Sequence, residues 1–136
     1  MAVVVFDSDV LIGFLNAADA HHPDAVQLVR DSLAPGTRRM LNAVNYSEIL
    51  IGPIKAGKET RDQVDAMLGN FAIEIVSVDA ALARRAAAVR ARTDLKLPDA
   101  YALATAIHAE HNGYDDVRLA SVDKAVLRAH AELHPV

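Results

Sequence analysis

The chain opens on four consecutive apolar positions, Val3-Val4-Val5-Phe6, and this short, largely β-branched run predicts a buried strand. Val10 to Leu15 then takes helical spacing, with Asp9 positioned to cap it. His22-Pro23-Asp24 opens a second helix with Pro23 at its first position. Val26, Val29 and Leu33 form its apolar face, and Pro35-Gly36 ends it. Arg39-Met40-Leu41 predicts a second short strand, after which Asn42 can cap a helix carrying Val44, Glu48, Ile51 and Ile54. Gly57 breaks that helix, and the next runs from Thr60 through Val64 and Leu68 to Gly69-Asn70. Ile73 to Val76 alternates as a strand, and Asp79 caps a long Ala- and Arg-rich helix reaching Asp94. Pro98 starts a helix through Leu103 and Ile107, closed by Asn112-Gly113. Val117 to Ala120 predicts a last strand and Lys124 to Ala131 a short helix; Leu133 to Val136 carries no clear pattern. Strands alternating with helices need crossover connections. The expectation is an α/β protein whose short, mostly parallel central sheet is sandwiched by helices.

Composition narrows the field. A length of 136 residues, with no internal repeat or linker, fits a single domain over 1–136. At 52% hydrophobic residues the chain can bury a core, which excludes wholesale disorder. No run of eighteen apolar residues exists, so no membrane span is expected. Met1 to Asp7 lacks a basic segment ahead of its apolar run, so a signal peptide is not expected and the cytoplasm is the default compartment. Cysteine is absent, which removes disulfides, thiolate zinc sites and cysteine nucleophiles. Aromatics at 4% are too few for a base-stacking platform. The net charge of −4 disfavours a generic nucleic-acid coat, though not a local basic rim.

The acids carry the chemical signal. In a parallel α/β sheet, ligands gather at the carboxyl ends of the strands. Asp7 ends the first predicted strand, and Asp123 follows the last by three residues. Glu48 lies in the helix leaving the second strand, and Asp99 in the first turn of its helix. Two carboxylates about 6 Å apart repel by about 3 kcal/mol at an effective dielectric near 20. Several converging anions therefore need a cation, or some stay protonated. Hard oxygen donors without Cys favour Mg²⁺ or Mn²⁺ over Zn²⁺. Such ions activate water and stabilise charge building on a phosphodiester. The plain alternative for each acid is a helix cap or a solvated charge.

Four segments match a known pattern in order. Val4-Val5-Phe6-Asp7-Ser8-Asp9-Val10-Leu11-Ile12 is an apolar strand, Asp, a small residue and an apolar helix. Asn45-Tyr46-Ser47-Glu48-Ile49-Leu50-Ile51-Gly52 has an acid followed by Ile/Leu and Gly. Leu97-Pro98-Asp99-Ala100-Tyr101-Ala102-Leu103-Ala104-Thr105-Ala106 and Leu119-Ala120-Ser121-Val122-Asp123 complete the set. Over essentially its whole length the chain resembles the PIN domain, in particular the VapC-like ribonuclease toxins of bacterial toxin–antitoxin pairs. The resemblance implies a PIN-like fold and a Mg²⁺- or Mn²⁺-dependent endoribonuclease site. Its matching positions are Asp7, Glu48, Asp99 and Asp123, as catalytic groups and metal ligands, with Ser121 as helper. It further implies an RNA substrate, a VapB-like antitoxin partner whose C-terminal segment wraps the toxin, and a homodimer. The family often has Ser or Asn where Asp9 stands. Asp9 is thus either a plain cap or a group orienting Asp7 or a metal-bound water.

Other signals are weaker. Arg38, Arg39 and Lys96 flank elements leading to the acidic edge and are candidates for an RNA-backbone rim. Arg84, Arg85, Arg90 and Arg92 on the long helix read as a solvated face. Gly52 to Lys58 nearly spells a phosphate loop, but Glu59 stands where a Ser or Thr is required. His108/His111 and His130/His134 have chelating spacing without a third ligand nearby in sequence. Two rival functions remain at this point. A haloacid-dehalogenase-type phosphatase would use Asp7 as nucleophile and Asp115-Asp116 as a late acidic pair. A catalytically inactive PIN module would bind without cleaving.

Overall fold

The computed structural model describes residues 1–133. Its elements in chain order are β1 (Ala2–Phe6), α1 (Ser8–Leu15), α2 (His22–Asp31), β2 (Thr37–Asn42), α3 (Ala43–Ala56), α4 (Lys58–Asn70), β3 (Ile73–Val76), α5 (Ala80–Arg92), α6 (Leu97–His111), β4 (Asp116–Ala120) and α7 (Lys124–Leu133). The four strands form one parallel sheet in the order β3-β2-β1-β4. Helices cover both faces, as the alternating pattern predicts.

β1 is central, and its continuous apolar run follows from burial on both faces. Val3 and Val5 face a core with Leu82, Val89, Leu103 and Ile107 from α5 and α6. Val4 and Phe6 face a second core with Val10, Leu11, Val29, Leu41 and Ile49 from α1, α2, β2 and α3. Each fully buried Leu, Val or Phe contributes about 1.5–3 kcal/mol over an exposed one. No helix of the described residues is long and apolar enough to cross a membrane.

Connectivity locates the crevice. From β1 the chain steps outward to β2 and β3, then crosses back so that β4 joins the other side of β1. The order therefore reverses between β1 and β4, and ligands in open α/β sheets bind at the carboxyl ends beside such a reversal.

Several boundaries differ from the sequence expectation. Asp7, not Asp9, caps α1: its carboxylate accepts from the Ser8 N–H at 2.9 Å, so Asp9 falls within the first turn. β2 begins at Thr37, two residues early, because Thr37 and Arg38 pair in register with Ala2 and Val3. α2 ends at Asp31, so Leu33 lies beyond it and is exposed. α4 begins at Lys58, immediately after Gly57, whose φ of +134° turns the chain between the two helices. α5 stops at Arg92, where the Thr93 hydroxyl donates to the Val89 carbonyl. α7 extends to Leu133, and His134 to Val136 lie outside the described residues. The caps predicted at Asn42 and Asp79 are present: they accept from the N–H groups of Asn45 and Leu82, each at 2.9 Å.

Candidate active site

The carboxyl ends of β1 and β4 bring the acids together. Phe6 pairs with Ala120, so Asp7 and Ser121, the next residue of each strand, leave the sheet side by side. Asp7 is 1% exposed. Its Oδ1 takes the Ser8 N–H and its Oδ2 lies 3.0 Å from Ser121 Oγ. The same Ser121 Oγ lies 3.1 Å from Asp9 Oδ2 and accepts from the Asp123 N–H at 3.0 Å. One hydroxyl carries one proton. Ser121 therefore serves both acids only if it shares that proton or if one acid keeps its own. Burial pushes the Asp7 carboxyl up to about 8, with repulsion from Asp9 and Asp99 adding to it. The Ser121 hydroxyl and the Ser8 N–H, both donating to Asp7, oppose that rise without cancelling it.

Burial also raises Asp9, and Asp123 repels it further. Asp99, in the first turn of α6, is raised by burial and by Asp123, Glu48 and Asp9, with Lys96 opposing. Asp123 doubles as a cap for α7, taking the Ala125 N–H at 2.8 Å. Asp7, Asp9, Glu48, Asp99 and Asp123 thus share one electrostatic neighbourhood, which Lys96 borders.

Two contributors were not singled out by sequence reasoning. Ser8 ties two acids together: its N–H donates to Asp7 and its hydroxyl donates to Glu48 Oε1 at 2.9 Å. Asn45, fully buried, donates to the same Glu48 oxygen at 2.9 Å and to the Pro98 carbonyl at 3.1 Å. Asn42 in turn donates to Asn45 at 2.7 Å and to Thr105 at 3.1 Å. A continuous chain of hydrogen bonds therefore runs from α6 through Asn42, Asn45, Glu48 and Ser8 to Asp7. The available signal was Asn42-Asn45-Glu48, polar residues three apart on a helix face that should be buried. Asn45→Ala removes one of the two acceptors of the Asn42 amide, one of the two donors to Glu48 and a side-chain donor to the Pro98 carbonyl. It is expected to lower unfolding stability by about 1–3 kcal/mol in urea titrations.

Two of the three basic candidates lie elsewhere. Arg38 and Arg39 pair with Val3 and Val4, and their guanidinium groups serve the opposite end of the sheet. Arg38 binds Glu74 through Nε at 2.9 Å and Nη2 at 2.5 Å, and also bonds and stacks on Tyr114. Arg39 donates to the carbonyls of Phe71 at 2.6 Å and Ser32 at 2.7 Å, tying together the turns that precede β2 and β3. Both arginines are committed to the fold and do not rim the acids. Lys96, exposed beside Asp99, does.

The geometry also tests the rival motifs. Asp116 begins β4 opposite Ala2, and Asp115 pairs with the N-terminal ammonium at 2.9 Å. Both lie at the amino end of the sheet, away from Asp7, so no phosphatase pair forms with it. Residues 52–56 are helical and lie at the end of α3, so the near-miss phosphate loop is not a loop after a strand. His130 Nε2 lies 2.8 Å from Glu110 Oε1, joining α7 to α6; its candidate partner His134 lies outside the described residues.

The donor chemistry at the acidic crevice fits a hard divalent cation. It is all oxygen, it is short of compensating positive charge, and it lies at the strand ends where ligands gather. Among the described residues no three acidic or histidine side chains stand together as a ready-made ligand set. Rotation of acids now held by Ser8 and Ser121 would be needed to close on an ion.

Comparison with known proteins agrees with this architecture. No curated protein matches the chain. Among solved structures, a chain of a toxin–antitoxin complex from Klebsiella pneumoniae is 25% identical, with a TM-score of 0.65 over 92% of this chain and 89% of that one. Mycobacterium tuberculosis VapC20, described as a Sarcin-Ricin loop cleaving toxin, is 20% identical, with a TM-score of 0.63 over 90% and 92%. A chain of Rickettsia felis VapBC2 bound to a promoter DNA fragment is 15% identical, with a TM-score of 0.56 over 90% and 100%. The family model of the PIN domain matches residues 4–132, so nearly all of this chain, with its four-stranded parallel sheet and acidic crevice, belongs to the PIN-domain family.

Proposed function

We propose that the chain is a divalent-metal-dependent endoribonuclease, the VapC-like toxin of a VapBC-type toxin–antitoxin pair. The observation that carries this reading is the convergence of Asp7, Asp9, Glu48, Asp99 and Asp123 on the switch point of a PIN fold. Asp7, Glu48 and Asp99 would hold Mg²⁺ or Mn²⁺, with Asp123 completing the set and Asp9 and Ser121 orienting it. When bound, the ion supplies an activated water and a counter-charge for the phosphodiester. The chain's own residues do the rest. Ser8 and Asn45 fix the Glu48 carboxylate, Ser121 fixes Asp7 and Asp9, and Lys96 supplies a cation to a phosphate at the crevice edge.

Purified protein should cut single-stranded RNA in Mg²⁺ or Mn²⁺ and not in EDTA. Binding to the folded state alone should also raise the melting temperature by several degrees, since a hundredfold excess over Kd is worth about 2.7 kcal/mol. Equal melting temperatures with EDTA and with millimolar metal, together with no cleavage, would refute the site.

The same reading includes an antitoxin. The Klebsiella chain, 25% identical, comes from a toxin–antitoxin complex. Between α1, α3 and α4 runs a groove of about 330 Å³ lined by Ile12, Leu15, Ile49, Pro53 and Val64, with Glu48 at its border. An amphipathic tail laid there would seat its apolar side chains and carry an Arg or Lys to the acids. Co-expression with candidate partners should yield a tight complex whose RNase activity is suppressed. If every tightly bound partner leaves cleavage intact, a stand-alone nuclease is the better description. A homodimer, measured by sedimentation, is proposed on the family likeness alone.

A further inference from the structure

An acidic crevice repels the phosphates it would have to cut, so a polyanionic substrate must be held by cations outside it. The rim candidates Arg38 and Arg39 face away, which leaves that task to other residues. Charge is unevenly distributed in this chain. Residues 84–96 and 124–132 carry seven cations (Arg84, Arg85, Arg90, Arg92, Lys96, Lys124 and Arg128) against the two acids Asp94 and Glu132, on a chain of net charge −4. None of the seven makes an ion pair among the described residues, whereas Arg38, Arg61 and Arg118 do.

Several of these cations line hollows on α5 and α7. A hollow of about 160 Å³ between α5, α6 and α7 is bordered by Arg85 and Arg92. A second, of about 350 Å³, lies between the end of α5 and α7 and is bordered by Arg92 and Arg128. Arg92 belongs to both, so the two are neighbours. Asp94 and Glu132 border the second hollow without pairing either arginine. Lys124 lies one turn before Arg128 on α7, at the i,i+4 spacing that shares a helix face. Lys124 also borders a third hollow with Ser121, the residue that holds Asp7 and Asp9. The cations thus lead from Arg85 past Arg92 and Arg128 to Lys124 at the acidic crevice, where Lys96 stands beside Asp99.

We propose that this α5–α7 trough, through Arg92, Arg128 and Lys124, is the track that binds the phosphate backbone of single-stranded RNA and delivers it to the acids. The proposal rests on the nuclease reading and adds to it the path of the substrate. Point cations on a trough suit a flexible single strand, whose phosphates are read without regard to base. The sequence reading of the α5 arginines as merely solvated would then be incomplete for Arg85 and Arg92.

The test separates binding from cutting. In an Asp7→Asn background, which removes cleavage, fluorescence anisotropy with a labelled single-stranded RNA is measured at several salt concentrations. Arg92→Ala with Arg128→Ala should raise Kd about tenfold. The slope of log K against log salt should become shallower by about 1.4, since each lost phosphate contact on a single strand removes about 0.7. Arg118→Ala, midway along the edge strand β4 and paired with Asp116, should change neither quantity. With Asp7 intact, the double variant should cut with a raised KM and a largely preserved kcat, and sedimentation should be unaltered. An unchanged Kd and salt slope, with wild-type protein still cutting RNA, would overturn the track and spare the nuclease. An effect matched by Arg118→Ala, or a change of oligomeric state in the double variant, would overturn the track as well. Wild-type protein that neither binds nor cuts RNA would overturn the nuclease reading, and the track with it.

Discussion

Asp7→Asn, Glu48→Gln and Asp99→Asn are each expected to lower RNA cleavage by at least about 100- to 1,000-fold, the scale on which pre-organised electrostatic stabilisation is lost. Each change removes charge at the crevice while preserving shape. In Asp7→Asn the new amide oxygen can still accept the Ser8 N–H, and in Glu48→Gln it can still accept from Ser8 and Asn45. Folding should therefore survive, and circular dichroism with urea melts would verify that. Asp123→Asn should cost less, about 10- to 100-fold, the range typical of residues that support a metal site from its edge. Asp123 already spends one oxygen on the α7 N-terminus, and Asn caps a helix as well as Asp does. Single-turnover rates on one RNA would rank the four variants. Wild-type rates in Asp7→Asn would refute the assignment at its centre.

The legible part of this protein was what short-range pattern dictates. Val3 to Phe6 predicted β1 because a doubly buried strand leaves a continuous apolar run. Asn42, Asp79 and Pro98 marked helix starts through capping and fixed φ. The acids that share the crevice were legible as four motifs, since strand-end positions are tied to sequence order in a parallel sheet. Directions of long side chains were not legible. Arg38 and Arg39 are near the acids in no sense that sequence spacing conveys: strand register sets them against Val3 and Val4, and Glu74, Tyr114 and two turn carbonyls take their donors. The α1 cap was misplaced by two residues because Asp7 and Asp9 both satisfy the cap pattern. Only the geometry at the end of β1 chooses between them. Ser8 and Asn45 escaped notice because their importance lies in joining acids from different elements, which no local pattern records.

In EDTA the protein should lose stability as pH rises from about 4 towards about 8. The sign follows from Asp7, whose folded-state carboxyl stands at about 8 against an ordinary value of 3.8. Below the ordinary value both folded and unfolded chains are protonated, and nothing is lost. Between the two values the unfolded chain gives up its proton while the folded chain retains one, so the native state becomes progressively less favoured. The slope for one such proton is at most about 1.4 kcal/mol per pH unit. Asp9 and Asp99, also raised by burial, act in the same direction. Asp7→Asn removes the largest contribution, so its stability in EDTA should exceed that of the wild type at pH 8 and match it more closely at pH 4. A divalent cation competes with that proton. Mg²⁺ or Mn²⁺ should therefore raise the wild-type melting temperature more at pH 8 than at pH 5, and should do far less for Asp7→Asn at either pH. Thermal melts from pH 4 to pH 8.5, with and without metal, provide the measurement. If the wild type and Asp7→Asn showed the same pH slope in EDTA, Asp7 would not be the buried proton carrier that its burial beside Asp9 and Asp99 makes it.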